Sequence, residues 1–540
     1  MGEDVNEFVQ EVAGDPNPAA RDTPTVLAEI VEVSGAAAAA RLCGGVEVAR
    51  FGRIGLIVKV EAEGNWVYGH VRAIEHRDGD PHLCIDLFGE RFAGGADDET
   101  AHLDRGISLY PVPGNRVFAV DETELATLFV RRDGPSLRLG QIYPTKVAAN
   151  VHIDSLLARH FAVLGSTGTG KSSAVALIIH RLVEKLPGGH ILILDPHNEY
   201  ATAFRDIGEH FDPTTLSLPY WMMNLEEHVE VFIGTREAGH EVEIDILKRS
   251  LLAARKKNTR FSAARITVDT PIPYKLTDIL AELDAQMGRL DKPEKHLPFL
   301  RLKHKIEELR SDDRYSFMFS GMLISDSFAD IISRILRMPG NGKPVSTLDL
   351  SGVPSDIVDV VVSLLCRMVF DFALWSRKGD AARPLLLVCE EAHRYVPRQP
   401  NPRFDSARRV LERIAKEGRK YGVSLGLVSQ RPSDVSESVL SQCGTILSMR
   451  MNNERDTAFV ANALPEGSRA FLSSISALKT RECILSGEGV AAPMRVWLDH
   501  LEDSQRPSSS DPAFSENWEW ARQDATFVPA VIERWRSGKR

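Results

Sequence analysis

Long apolar runs are missing from this sequence. No stretch approaches the roughly 18 consecutive apolar residues that a membrane-crossing helix needs, so a transmembrane helix is excluded. The N-terminus, MGEDVNEFVQEVAGDPNP, is acidic and has no apolar segment, so it does not read as a secretory signal. Cysteine is scarce: six in 540 residues, scattered and with no CxxC. That excludes a disulfide framework and a cysteine-rich zinc site and fits a reducing cytoplasm. An excess of positive charge is absent too. The 65 Lys and Arg are outnumbered by 75 Asp and Glu, a net charge of −10. Such a surface does not coat DNA everywhere, so any nucleic-acid contact must be local, on a basic patch or inside a pore. There is no helix-turn-helix, zinc finger or aromatic RNA-binding motif to read bases. Nor is there a nuclease carboxylate cluster or an NAD fingerprint, so chemistry of those kinds would belong to a partner.

What is present is an ordinary globular balance, 43% hydrophobic and 26% charged. At about 150 residues per domain the length implies two to four domains. Residues 1–23 are polar and read as disordered. Residues 24–140 carry short alternating runs (TVLAEIVEV, RIGLIVKVEA, NWVYGHVRAI, LCIDLFGE, NRVFAV) broken by Gly, Asn and Asp, which predicts a small β-barrel or sandwich. Within it AAAAARL, at 36–42, reads as an edge loop or a short helix. From residue 141 the pattern becomes continuous apolar strands alternating with helices: HFAVLG, a Gly-rich turn, SSAVALIIHRLVEKL, then HILILD. That predicts an α/β fold with a buried parallel sheet, its first part over 141–224. Over 225–345 the strand signal disappears, and Ile244, Leu247, Leu251 and Ala254 fall on one helical face, which predicts a helical insertion. Strands return over 346–500 at STLDLSG, PLLLVCEE, VSLGLVSQ and GTILSMRM. Residues 501–540 begin as a Ser/Pro linker and then hold Phe514, Trp518, Trp520, Phe527 and Trp535, a tail expected to dock.

The chemistry concentrates at Gly165-Ser166-Thr167-Gly168-Thr169-Gly170-Lys171-Ser172, a full G-x-x-x-x-G-K-[ST] match set between a predicted strand and a predicted helix. In that context the glycines turn successive N–H groups inward, and the helix end adds positive charge for phosphate oxygens. Lys171 is then placed for the β- and γ-phosphates and Ser172 for Mg²⁺, with Ser173 next in the helix, so ATP and Mg²⁺ are the expected cofactors. A metal-side acid and a base are also needed. LLLVCEE ends a buried strand in Glu390, expected to hold the Mg²⁺ shell through water, and Glu391, expected to orient or deprotonate the attacking water. Asp195 ends HILILD at the sheet edge where α/β ligands bind, although a turn acid is its other reading. Gln430 ends VSLGLVSQ and can sense the γ-phosphate or align the water, with a turn residue as its other reading. Arg394, Arg398, Arg403, Arg408 and Arg409 crowd into 16 residues after the acids. They read either as DNA-phosphate contacts lining a pore or as a helix face paired with Asp405 and Glu412. A second basic cluster, ARKKNTR at 254–260, reads as solvated.

Taken together and in order, GSTGTGKS, LILDPHNEY, LDLSGVP, CEEAHRYVP and EGRKYGVSLGLVSQRP resemble the HerA-type ATPases of the FtsK/HerA branch of P-loop proteins. The resemblance covers roughly residues 24–500. It implies a RecA-like core with an N-terminal β-barrel and a helical-bundle insertion. It also implies a homo-hexamer that hydrolyses ATP between subunits and translocates double-stranded DNA. A partner effector is implied as well, most often a nuclease and in some antiviral operons a sirtuin-like protein. By the same carry-over Arg419, in EGRKYG, matches the arginine finger, and Arg159, in ARHFAVLG, matches a second arginine at the subunit boundary. The finger rests on the EGRK context rather than on spacing, and Arg413 is the alternative. A guanidinium supplied by a neighbour stabilises transition-state charge by roughly 10³–10⁵ in rate and makes hydrolysis depend on assembly. Two other readings fit the same motifs: a secretion- or conjugation-type ATPase, and a hexameric scaffold whose ATP binding assembles and activates an effector.

Overall fold

A computed structural model of the chain describes residues 26–44, 53–77, 79–92, 103–129, 134–234, 239–261, 265–290, 293–321, 323–377, 383–399, 405–463, 471, 474–508, 514–519 and 526–537. The polar N-terminus expected to be disordered lies outside them.

Seven strands form the first sheet: β1 Val26–Ser34, β2 Ala37–Leu42, β3 Ile57–Ala62, β4 Asn65–Arg77, β5 Asp80–Phe92, β6 Asp104–Arg105 and β7 Arg116–Ala119. Their order is β2-β1-β7-β3-β4-β5-β6, and an additional β2–β5 pairing closes the sheet into a barrel around Leu27, Val58, Val67, Val71 and Ile85. The alanine run is β2, neither an edge loop nor a helix. It pairs on both sides, with β1 and with β5, and buries Ala38, Ala39 and Ala40. Alanine's helix preference is only a fraction of a kcal/mol per residue, so two full ladders override it.

The second sheet has eleven strands: β8 Ser136–Ile142, β9 Ala148–His152, β10 Phe161–Leu164, β11 Ile191–Asp195, β12 Gly208–Phe211, β13 Val345–Asp349, β14 Leu385–Cys389, β15 Val423–Ser429, β16 Thr445–Met449, β17 Glu482–Gly487 and β18 Met494–Leu498. The order is β12-β13-β11-β14-β15-β10-β16-β17-β18-β8-β9. The run from β12 to β16 is parallel, and β17, β18, β8 and β9 extend it antiparallel. The sheet is therefore mixed rather than wholly parallel. The hairpin β8–β9 also moves the expected barrel boundary: Ile142 pairs with Val496, so residues from 136 onward belong to the large sheet.

The parallel strands are apolar throughout because helices cover both faces. Phe161 on β10 lies across Gly426 on β15, where a Cβ would meet the ring at 2.6 Å, so only glycine fits there. Between β12 and β13 run the helices Leu225–Phe232, Glu241–Lys256, Leu276–Met287, Leu297–Ser311 and Phe328–Ile335. Leu247, Leu251 and Ala254 are buried as expected, and Ile244 is partly buried against the same core. That core is shared with the helices Val358–Ser376 and Ser406–Tyr421, so the insertion packs onto the ATPase core. Arg255, expected in a solvated cluster, is fully buried. Its guanidinium donates to the carbonyls of Trp221, Met223 and Val268, which ties the insertion to its first turn. The tail differs as well. Trp518 is 75% exposed and Trp535 83% exposed, with Phe514 and Phe527 also exposed, so these aromatics dock on nothing within the described chain. Trp520 lies outside the described residues. Among the described residues no helix is long and apolar enough to cross a membrane, and all six cysteines are free.

Candidate nucleotide site

β10 ends at Leu164, and the chain turns sharply into the helix Lys171–Lys185. Gly170 caps that helix in the left-handed region (φ 99°) and supplies no side-chain cap. The first amides of the helix are left without intrahelical partners, which is the usual phosphate cradle. Thr169 Oγ1 donates to the Ser166 carbonyl at 2.8 Å and braces the loop. Lys171 Nζ folds back onto the same carbonyl at 3.0 Å. Burial pushes the Lys171 ammonium down from its ordinary value, against the opposing pull of Glu390, Glu391 and Glu199.

Those three carboxylates come from two neighbouring strand ends. β14 lies two strands from β10, roughly 10 Å away, which leaves room for a γ-phosphate and a water between them. Glu390 is fully buried, and burial raises it to about 8, with Glu199 and Glu391 adding to the shift. The Tyr200 hydroxyl donates to it at 2.7 Å and, with Lys171, opposes the rise. Glu391 follows in the left-handed region (φ 53°), within electrostatic reach of Lys171. Burial raises it too, opposed by Lys171, His197 and Gln430. Its Oε2 is buried with no hydrogen-bond partner among the described residues. His393 Nδ1 approaches to 3.1 Å but out of alignment, and burial drives His393 down to about 4, so it is neutral. Gln430, just past β15, accepts from Thr167 Oγ1 and so joins the P-loop to the Glu391 side.

Asp195 takes the turn role rather than facing the nucleotide. Its carboxylate accepts the amides of His197 at 3.2 Å and Tyr200 at 2.9 Å, and it stays buried within its own loop. The acid that reaches the P-loop from this loop is Glu199, whose Oε2 accepts from Ser172 Oγ at 2.5 Å. Ser508, from the segment leading into the tail, donates its amide to the Glu199 carbonyl at 2.9 Å. Sequence reasoning does not single out Glu199 and Tyr200. The only available signal is their place in DPHNEY directly after a buried strand.

Mg²⁺ keeps most of its waters and takes one or two carboxylates plus phosphate oxygens. The donor set fits that habit: the Ser172 hydroxyl with two acids, Glu199 and the raised Glu390, beside Lys171. Among the described residues no group of three or more His, Cys, Asp or Glu could hold a metal ion by itself.

Arg159 and Arg419 are not brought to this site. They precede β10 and β15, whereas the P-loop, Gln430 and the acids follow the other ends of those strands. Across the seven residues of β15 the separation is on the order of 20 Å. Arg159 pairs with Glu488. Arg419 lines a cavity of about 610 Å³ at that opposite edge, with Asp154, Lys185 and Arg383 among its walls. Arg413 lies over the Phe370 ring at 4.5 Å and near Glu417 at 3.7 Å. In the post-acid cluster, Arg408 pairs with Glu412 at 3.0 Å and Asp405 at 3.6 Å, and Arg409 pairs with Asp405 at 3.0 Å. These two follow the paired-helix reading. Arg398 stacks over Phe459 at 5.5 Å, and Arg403 lies outside the described residues.

Comparison with known proteins adds four findings. Residues 137–369 match the family described as Helicase HerA, central domain. The chain is 29% identical over 452 residues to the DNA double-strand break repair helicase HerA of Sulfolobus acidocaldarius, covering 79% of this chain and 81% of the relative. It is 27% identical over 469 residues to the protein of the same name from Pyrococcus furiosus, covering 78% and 76%. The solved VirB4 of Thermoanaerobacter pseudethanolicus shares the fold, with a TM-score of 0.50 and 18% identity over 69% of this chain and 99% of that one. With its P-loop, strand-end acids and central-domain match, the chain is a P-loop ATPase similar to the HerA helicases over most of its length.

Proposed function

We propose that this ATPase is a ring motor, a homo-hexamer that moves double-stranded DNA with energy from ATP hydrolysed between subunits. The observation that carries the reading is the polarity of the sheet. One edge holds the P-loop, Glu199, Glu390, Glu391 and Gln430. The opposite edge holds Arg159 and Arg419, too far away to touch the chain's own nucleotide. Arginines so placed are useful when the back edge of one copy faces the nucleotide edge of the next. The curated relatives named as double-strand break repair helicases support DNA as the track.

In this reading the P-loop amides and Lys171 bind and orient the phosphates. Bound Mg²⁺ supplies charge neutralisation at the phosphates. Glu390 and Glu199 position its water shell, with Tyr200 steadying the ionised form of Glu390. Glu391 Oε2, buried and unpartnered among the described residues, orients the attacking water and takes up its proton. Gln430 relays the state of the P-loop to Glu391 through Thr167. Arg419 of the neighbour, assisted by Arg159, stabilises charge in the transition state. An effector of nuclease or sirtuin-like kind, in DNA end processing or antiviral defence, would supply chemistry that this sequence lacks, with the whole assembly in the cytoplasm alongside DNA.

Subunit mixing tests the ring. Arg419→Ala and Glu391→Gln proteins should each be inactive alone and regain ATPase activity when mixed, because some interfaces then combine an intact finger with an intact base. Monomers in light scattering that retain full activity would refute it.

A further inference from the structure

Two arginines stand beside the P-loop on the side away from the acids. Arg450 directly follows β16, the neighbour of β10 opposite β15. Its carbonyl accepts the Ser166 amide at 2.9 Å, and the Asn452 amide donates to Ser166 Oγ at 3.4 Å. Arg481 directly precedes β17. Because β17 runs antiparallel to β16, with Met449 opposite Cys483, the start of β17 lies at the same sheet edge as the P-loop. The Arg481 amide donates to the Thr169 carbonyl at 3.1 Å, and its Cγ lies 3.7 Å from where a Cβ on Gly170 would stand.

Among the described residues neither guanidinium has a hydrogen-bond or ion-pair partner. Both arginines are half-buried, and among the described residues neither has a carboxylate within ion-pair distance, whereas Arg408, Arg409 and Arg495 do. Arg450 Nε is buried without a hydrogen-bond partner. Arg481 also sits in the left-handed region (φ 66°), a conformation that favours glycine. A strained residue whose charge has no protein partner, touching the phosphate loop, calls for a ligand.

The site's polarity names which part of the ligand. Glu391 and Gln430 fix the γ-phosphate end on the β14–β15 side of the P-loop. The α-phosphate, ribose and base then extend toward β16 and β17. We propose that Arg450 and Arg481 bind this nucleoside end of ATP or ADP, stacking on the base beyond the α-phosphate. A planar guanidinium suits that role. This rests on the P-loop being the nucleotide site.

The experiment compares the full-length protein with Arg481→Gly and Arg450→Ala variants, using Mg²⁺ with ADP, ATP or inorganic tripolyphosphate as ligands. Lys171→Ala serves as the reference. Arg481→Gly relieves the left-handed strain, so its nucleotide-free melting temperature should equal or exceed that of the wild type. Each variant should weaken ADP and ATP equally, by about 10-fold, as expected when one guanidinium no longer meets the nucleotide, and leave tripolyphosphate within about twofold. Lys171→Ala should weaken all three. ADP affinity within about twofold of wild type in both variants, or equal losses for ADP and tripolyphosphate, overturns the proposal. Failure of the wild type itself to bind ADP refutes the nucleotide site, a different outcome.

Discussion

Removing one hydroxyl tests the electrostatics of the acid cluster. Tyr200 donates to Glu390 at 2.7 Å, and its own phenol is pushed well above the ordinary value, so it remains a donor at every working pH. Glu390 already sits at about 8. A hydrogen bond to an ionised acceptor is worth about 1.5–3 kcal/mol. At 1.36 kcal/mol per unit, Tyr200→Phe should raise Glu390 further by about 1–2 units. The acid limb of the kcat/KM–pH profile should move up by the same amount, with an activity loss of about 10–100-fold at pH 7 that narrows on the alkaline side. Stability gives a second readout. Because the folded carboxyl lies above its unfolded value of 4.5, the folded state binds the extra proton between about 4.5 and 8. Nucleotide-free protein should therefore lose stability as pH rises through that window, and Tyr200→Phe should lose more above it. Superimposable pH–rate profiles for the two proteins would refute the role given to Glu390.

The two other acids should separate in one set of assays. Glu391→Gln should bind nucleotide normally and lose turnover by about 10²–10⁴-fold. Glu199→Ala should keep metal-free nucleotide affinity but raise the Mg²⁺ concentration for half-maximal activity by about 10–100-fold, and normal Mg²⁺ dependence would return Glu199 to a loop-bracing role. For DNA, replacing Arg394 and Arg398 by Ala should lower the log–log salt slope of duplex binding by about 0.9 for each phosphate that is no longer neutralised. Arg408→Ala, already ion-paired, should leave it unchanged. Equal slopes in all three proteins would remove this segment from the DNA path.

The readable parts of the chain are those whose signal is local. A buried parallel strand is apolar at every position, so FAVL, ILILD and LLLVC stand out by themselves, and a P-loop needs its glycines at fixed spacing because backbone angles demand them. Helix faces of the insertion follow from a period of 3.6 residues. The antiparallel strands β17 and β18 and the short β12 carry weaker patterns and do not stand out from the sequence.

What the amino-acid order determined alone was therefore the kind of site: phosphate loop, strand-end acids, and the sheet edge they share. Only the tertiary structure decided which neighbouring group does what. Asp195 and Glu199 lie four residues apart in one loop. Backbone amides claim the first, and that fold of the loop turns the second onto Ser172. The alanine run became a strand because two distant partners flank it. Arg408 and Arg409 are neutralised by helix-neighbour acids, while Arg450 and Arg481, unremarkable in sequence, stand beside the P-loop with no acid partner among the described residues. Periodicity and spacing report what one segment prefers. Charge pairing, strand partnership and burial depend on segments hundreds of residues away, and those exist as neighbours only once the chain is folded.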